Sequence, residues 1–138
     1  MWPDLPFEFN VMGTPVSSQS ELSAPRQEWK ARVANAALAA LPEGAWSFDE
    51  TRLSVTLFYF PQAPMIGDVD NIIKLTLDAM IPSVYLDDSL IDRVVVQRFG
   101  PDANAAFANP SNKLVEALGS EGPILYIRVD AVHGEPSF

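Results

Sequence analysis

One segment, residues 51–60, constrains the fold more than any other part of the chain. It is rich in β-branched and aromatic residues, which favour an extended strand. Leu53, Val55 and Leu57 alternate along one side of that strand, and two phenylalanines lie on the other side. Because both sides are apolar, we predict a central strand that is covered on both faces of a sheet.

The remaining periodicity predicts three more strands and two main helices. Alternating apolar residues predict strands at residues 5–12, 90–99 and 123–132. Apolar residues at three- and four-residue spacing predict helices that begin near Ser23 and near Asp68. Residues 112–118 could form a short third helix. The order β-α-β-α-β-(α)-β predicts an α/β (α+β) fold, a mixed sheet of about four strands with two main helices packed on it.

The length of 138 residues predicts a single domain over residues 1–138, with a disordered tail at residues 133–138. No apolar run approaches the ~20 residues that a membrane-spanning helix requires. The first residues lack the basic and apolar regions of a secretory signal. We therefore expect a cytoplasmic protein without a membrane partner.

The residue types that are missing limit the chemistry. The chain has no cysteine and a single histidine, His133, so a bound metal must rely on oxygen ligands. That favours magnesium, manganese or calcium. No glycine-rich phosphate loop is present, so we expect no nucleotide cofactor. An EF-hand is excluded, because Ile72 and Ile73 stand where its loop needs an oxygen ligand and then a glycine.

The formal net charge of -9 argues against a nucleic-acid partner. Proteins that hold nucleic acid usually neutralise phosphates with clustered lysine and arginine. An acidic balance in a small domain more often serves solubility. Global charge alone therefore gives no reason to expect DNA binding.

Acidic residues flank the second predicted helix on both sides. Asp68 and Asp70 lie at the junction between strand and helix, and Asp87 and Asp88 open the next strand. Two carboxylates two residues apart converge where the backbone is extended, and hard divalent cations need such oxygen ligands. Carboxylates from both flanks can therefore meet at the same end of the sheet.

The helix itself adds a positive charge to these acids. If Asp70 lies near the helix N-cap, Lys74 and Asp78 follow at intervals of one turn along one exposed stripe. Such a set suits phosphodiester hydrolysis, in which a metal polarises the phosphate and Lys74 stabilises growing negative charge. Asn71 more plausibly caps or orients than ligates.

Each of these residues also has a purely structural interpretation. Asp70 is a favoured N-cap residue, Asp68 suits the positive end of a helix dipole, and Lys74 can join both neighbours in an exposed ion-pair ladder. Asp87-Asp88-Ser89 is equally a common turn sequence before a strand. Spacing alone leaves both interpretations open.

Two assembled motifs favour the functional interpretation. They are the run GDVDNIIKLTLDAM at residues 67–80 and the run VYLDDSLI at residues 84–91. Together they resemble the signature of RusA-type Holliday junction resolvases, which has a D-h-D-N-h-x-K-x-x-x-D-A-h run followed by an aromatic residue, any residue and D-D-[SA]. The resemblance is dense over about the middle quarter of the chain.

The resemblance implies a site and a reaction. It places the metal-binding and catalytic aspartates at Asp68, Asp70 and Asp88 and the catalytic lysine at Lys74. Supporting positions in the motifs are Asn71, Asp78 and Asp87. It further implies a homodimer that binds a four-way DNA junction and makes paired incisions with Mg²⁺ or Mn²⁺, as in DNA recombination and repair.

One departure from the resemblance concerns the grip on DNA. Family members carry basic residues before the first aspartate and in the N-terminal loop, where this chain reads APMIG at 63–67 and SSQSE at 17–21. The candidates that remain for phosphate contact are Arg26, Lys30, Arg93 and Arg98. An alternative is therefore a non-catalytic RusA-like dimer that acts as a protein-binding or regulatory module.

Overall fold

The computed structural model describes residues 1–62, 68–100, 106–132 and 138. The four strands are β1 (Phe7–Met12), β2 (Leu53–Phe60), β3 (Ile91–Arg98) and β4 (Ile124–Ala131). The three α-helices are α1 (Ser23–Ala40), α2 (Ile73–Ala79) and α3 (Asn112–Leu118). Two short 3₁₀ helices, Val69–Ile72 and Asp88–Leu90, precede α2 and β3. His133 and Gly67 lie outside the described residues.

The strands form one mixed sheet in the order β1-β4-β2-β3. β4 is antiparallel to both of its neighbours, whereas β2 and β3 are parallel, so β1, β2 and β3 all run in the same direction. We call the side where these three strands end the carboxyl edge and the opposite side the amino edge. The predicted fold class, a mixed sheet of four strands with helices packed on it, is confirmed.

β2 is buried along almost its whole length, as its sequence predicts. Leu53, Val55 and Leu57 pack into a larger core with α1 and α2. Phe58 packs on the other face with Leu114 of α3, in a smaller aromatic core. The central strand is therefore covered on both faces, because its two apolar sides each need a layer that excludes water.

α1 runs antiparallel to β1. Halfway along the helix, Arg32 Nη1 donates to the carbonyl of Met12 at the end of β1, over 3.3 Å. The last residue of α1, Ala40, borders a cleft together with Phe7 at the start of β1. The first turns of α1 therefore lie at the carboxyl edge and its last turn at the amino edge.

A buried hydrogen-bonded chain joins α1 to α2. The indole Nε1 of Trp29 donates to Thr76 Oγ1 over 3.1 Å, and Thr76 Oγ1 donates to the carbonyl of Ile72 over 2.8 Å. All three residues are shielded from water. Because an unpaired polar group would be costly at this depth, the chain fixes the position of α2 against α1.

The second predicted helix begins later than the sequence pattern indicates. Residues 69–72 form a 3₁₀ helix, with the Asn71 N–H bonded to the Asp68 carbonyl over 3.1 Å, and α2 starts only at Ile73. Val69, Ile72 and Ile73 are β-branched, which disfavours a regular α-helical start.

Phe138 is the one described residue of the predicted disordered tail. The ring of Phe138 lies against Phe58 at a centroid distance of 5.0 Å, and the guanidinium carbon of Arg128 lies 4.9 Å from the centre of the Phe138 ring. Residues 133–137 lie outside the described part of the chain. Within the described ranges, no helix is both long enough and apolar enough to cross a membrane.

Candidate active site

Asp68 and Asp70 are positioned by the segment that leads from β2 into α2. Asp68 has an extended backbone, with φ −89° and ψ 154°, and Asp70 lies inside the following 3₁₀ helix. This helix packs against β3. Ile72 is fully buried and anchors the segment, so that both carboxylates face solvent.

Neither aspartate has the structural role that its sequence position allows. Asp68 precedes the 3₁₀ helix but makes no side-chain capping bond, and α2 has Ile72, not Asp70, at its N-cap position. Lys74 pairs with Asp78, and within the described residues no ion pair joins it to Asp70. The 3₁₀ geometry explains this, because three residues per turn move Asp70 off the stripe of α2 that carries Lys74. Capping and a continuous ion-pair ladder therefore do not account for Asp68 and Asp70.

Lys74 is held on the exposed side of α2 by Asp78. The Lys74 ammonium lies 3.1 Å from a carboxylate oxygen of Asp78, one helical turn further on. This hydrogen bond raises the pKa of Lys74, with a smaller contribution from the negative charge of Asp88. Lys74 is therefore a protonated cation that is paired with Asp78, and it lies within electrostatic range of Asp88.

The neighbouring acids Asp87 and Asp88 have different surroundings. The Asp87 carboxylate accepts the N–H of Ser89 over 3.3 Å and so caps the second 3₁₀ helix. That bond, together with the side chain of Asp88, lowers the pKa of Asp87. Asp87 thus has a structural function in the turn, whereas Asp88 provides the charge that reaches Lys74.

Tyr85 is a site residue that the sequence reasoning missed. Its ring is fully buried, and its hydroxyl donates to the carbonyl of Leu77 over 2.5 Å. Burial raises the pKa of Tyr85 far above its usual value, and the nearby charges of Asp78 and Asp88 add to the effect. Tyr85 thereby ties the chain just before Asp88 to the helix that carries Lys74. The aromatic position in the second motif was the available signal.

The described residues bring together only part of the predicted set. Lys74, Asp78 and Asp88 interact electrostatically, with Tyr85 beneath them. Among the described residues, however, no group of three or more acidic, histidine or cysteine side chains is arranged to hold a metal ion. The expectation that carboxylates from both flanks of the helix meet at one point therefore stays a prediction.

Both flanks of α2 have interactions near Lys74. Lys74 lies in the first turn of α2, directly after the 3₁₀ helix that carries Asp70, and the negative charge of Asp88 acts on its ammonium. The same 3₁₀ helix packs against β3, the strand that follows Asp88.

The candidate DNA-contacting cations fall into two places. Arg26 and Lys30 lie in the first turns of α1, at the carboxyl edge, and Arg26 donates to the carbonyl of Ser20. Arg93 and Arg98 lie on β3, with Arg98 at the carboxyl edge beside Tyr59. Three of the four cations are thus at the carboxyl edge of the sheet.

Comparison with known families identifies the class of protein. A family model described as endodeoxyribonuclease RusA matches residues 14–107, about two thirds of the chain. The match defines a DNA endonuclease family, and it includes every candidate site residue named above. The chain therefore belongs to the RusA endodeoxyribonuclease family. No curated protein matches the chain.

Proposed function

We propose that the protein is a metal-dependent, structure-specific endonuclease that resolves four-way DNA junctions by paired strand incisions. Its membership of the RusA family supports endonuclease activity on DNA. The observation that carries the proposal is the state of Asp68 and Asp70. Both are exposed carboxylates on a segment anchored by the buried Ile72, and neither caps a helix or pairs with Lys74.

The chemistry of the side chains fits a hard divalent cation such as Mg²⁺ or Mn²⁺. Asp68, Asp70 and Asp88 offer only oxygen donors, and all three are exposed to solvent. We propose them as the ligands, with Asp87 excluded because its carboxylate caps the turn. A bound cation would supply Lewis acidity to the scissile phosphate.

Lys74 supplies positive charge that does not depend on a cation. Because Asp78 pairs with its ammonium and raises its pKa further, the pair favours one orientation of the charge before substrate arrives. A pre-oriented cation stabilises the negative charge that develops on a phosphoryl group without reorganisation during the reaction. Asp78 acts as the positioning partner of Lys74 in this scheme.

A homodimer would match the symmetry of the substrate. A four-way junction has two equivalent scissile strands, and a two-fold dimer presents one site to each of them. β3 lies at one edge of the sheet, where Asp92 and Val94 are exposed. An accessible edge strand of this kind can pair with a second copy of the chain.

The acidic net charge predicts a low and salt-sensitive affinity for DNA. The proposed phosphate contacts are Arg26, Lys30, Arg93 and Arg98, set against a net charge of -9. Each phosphate contact releases counterions, so affinity falls steeply as salt concentration rises. We expect cleavage to be fastest at low ionic strength.

Cleavage of a labelled synthetic four-way junction tests the proposal. The wild type should make symmetric incisions with Mg²⁺ or Mn²⁺, and Asp70→Asn should abolish them. Glu121→Gln is the matched control, because it removes one exposed carboxylate outside both motifs, between α3 and β4, and should cleave normally. A folded wild type that leaves the junction intact with either metal would contradict the proposal. Incision of flaps or forks but not junctions would restrict it to another branched substrate.

A non-catalytic, protein-binding role is the second candidate. Trp2 and Trp46 form an exposed aromatic pair, and the exposed acids Glu43 and Asp49 lie near Trp46 along the chain. These features favour this role, since they suit a protein partner better than DNA. An inert wild type that still folds and self-associates would support this role. The junction assay therefore separates the two candidates.

A further inference from the structure

Two exposed tryptophans form an aromatic pair at the amino edge of the sheet. Trp2 and Trp46 pack edge to face, with ring centroids 4.8 Å apart, and 49% and 56% of their surfaces stay exposed. The N–H of Trp46 donates to the Met1 carbonyl over 2.7 Å, which ties the first residues to the loop after α1. Large apolar side chains that remain this accessible mark interaction sites.

The segments that carry this pair are acidic, and the adjacent Arg52 is paired with Asp92. Residues 1–25 and 33–51 contain no lysine or arginine, yet they contain six acidic residues. Four of these are exposed and lie within four residues of one of the two tryptophans along the chain. They are Asp4, Glu43, Asp49 and Glu50. We call the two tryptophans and these four acids the acidic aromatic surface.

The end of α1 adds to the negative potential here. This 18-residue helix ends at Ala40 without a basic residue in its last turn. The carbonyl groups at a helix C-terminus carry partial negative charge, which favours cations. Asp4 and Ala40 line a cleft to which Lys113 contributes a basic side chain. Lys113 is paired with Glu116 over 3.3 Å.

A cleft beside the tryptophans offers space for an apolar side chain. It has a volume of about 310 Å³ and runs between the end of α1, the loop that leads to Trp46, and Ser83. Leu38 and Leu41 line its wall, and Leu38 is 59% exposed. The surface thus combines apolar anchoring points with a negative rim.

The position of this surface separates it from two of the cations proposed for DNA contact. The last turn of α1 lies at the amino edge, whereas Arg26 and Lys30 lie at the carboxyl edge. Much of the excess acidity therefore lies away from the cations proposed for DNA contact. A phosphate backbone would be repelled from the acidic aromatic surface, and so would an anionic lipid membrane.

We propose that the acidic aromatic surface binds a basic segment of a partner protein that carries apolar anchor side chains. Lysine or arginine side chains would meet the acidic rim and the tryptophan faces, where cations are attracted to the ring electrons. Apolar side chains of the segment would enter the cleft. Tryptophans at the centre of such surfaces commonly provide most of the binding energy. The proposal does not depend on nuclease activity.

Binding of three labelled probes to the full chain tests this inference by fluorescence anisotropy at low salt. The first is a 12-residue peptide of lysine and leucine, the second has glutamate in place of lysine, and the third is a 12-nucleotide single-stranded DNA. We expect only the lysine peptide to bind at the acidic aromatic surface. Trp46→Ala should weaken its binding about tenfold without changing the net charge.

Paired charge variants separate a specific surface from general attraction to an acidic protein. Asp49→Asn/Glu50→Gln should weaken binding of the lysine peptide several-fold more than Glu21→Gln/Glu121→Gln, which removes the same charge elsewhere. Equal effects of the two double variants, together with no effect of Trp46→Ala, would overturn the inference. So would failure of the lysine peptide to bind, or loss of DNA binding in Trp46→Ala. Since all five substituted residues are exposed, the variants should keep the wild-type circular dichroism spectrum. Junction cleavage by Trp46→Ala should match wild type, which keeps this test independent of the proposed function.

Discussion

Substitution of Tyr85 by phenylalanine tests whether Tyr85 holds the segment of Asp88 against α2, the helix that carries Lys74. The change removes one hydroxyl and leaves the buried ring in place. That hydroxyl donates the hydrogen bond that joins the chain before Asp88 to the carbonyl of Leu77 on α2. Because burial raises the pKa of Tyr85, the group is a neutral donor at any practical assay pH.

The expected loss of stability follows from the hydrogen bond. A buried bond of this kind contributes about 1 kcal/mol net. The Leu77 carbonyl also accepts the N–H of Met80 over 3.2 Å, so it keeps a partner in Tyr85→Phe. The cost should therefore stay near that value, which corresponds to a fall in melting temperature of about 3–5 °C for a chain of this size.

The expected loss of activity is larger than the loss of stability. Without the bond, Asp88 can shift relative to Lys74, and misplacement of a reacting group by about 1 Å can cost about 100-fold in rate. We expect the single-turnover cleavage rate of Tyr85→Phe to fall about 10- to 100-fold. Junction affinity measured with Ca²⁺ should stay within about twofold, since no proposed phosphate contact changes.

Tyr126→Phe is the matched control. Tyr126 is equally inaccessible, and its hydroxyl donates to the Glu8 carboxylate on the other side of the sheet. Glu8 also accepts a bond from Ser111, so this acceptor too keeps a partner. The control should lose comparable stability and keep its cleavage rate. If the two variants lose activity to the same extent, Tyr85 has only a structural role and the reasoning is refuted.

Three further outcomes follow from the site. Mg²⁺ or Mn²⁺ should raise the melting temperature of the wild type. At a metal concentration of 100 times Kd, the unfolding free energy should rise by about 2.7 kcal/mol, and Asp70→Asn should lose this response. Equal shifts in both proteins would count against metal binding by Asp70. Asp87→Asn should lower the melting temperature modestly near neutral pH while preserving cleavage, whereas Asp88→Asn should abolish cleavage. Because the pKa of Asp87 is lowered on folding, its stabilisation is present above the normal carboxyl pKa of about 3.8 and is lost as the pH falls through the lowered value. Asp78→Asn should slow cleavage without changing junction affinity, as measured by single-turnover rates and Ca²⁺ binding titrations, because it releases the oriented ammonium of Lys74.

Local sequence pattern was sufficient for the elements of the fold. The apolar sides of residues 53–60 required a strand with a layer on each face, and β2 has both layers. The helical stripe of Trp29, Val33 and Ala37 is the buried face of α1. These patterns are informative because burial of apolar side chains dominates the energetics of each element separately.

Local pattern was not sufficient for the start of α2. Period alone cannot distinguish a 3₁₀ turn from the first turn of an α-helix, and residues 69–72 adopt the former. This difference decides whether Asp70 aligns with Lys74. The candidate ladder was therefore reduced to the single pair Lys74 and Asp78.

The sequence by itself determined which residue types are available for chemistry, namely carboxylates, one helix-borne lysine and no thiolate, and it determined the family through two short motifs. Only the tertiary structure decided their grouping. A buried hydroxyl of Tyr85 tied the chain before Asp88 to α2, and the capping bond of Asp87 distinguished two adjacent aspartates. Such relations depend on contacts between residues that are distant along the chain, and local periodicity carries no information about them.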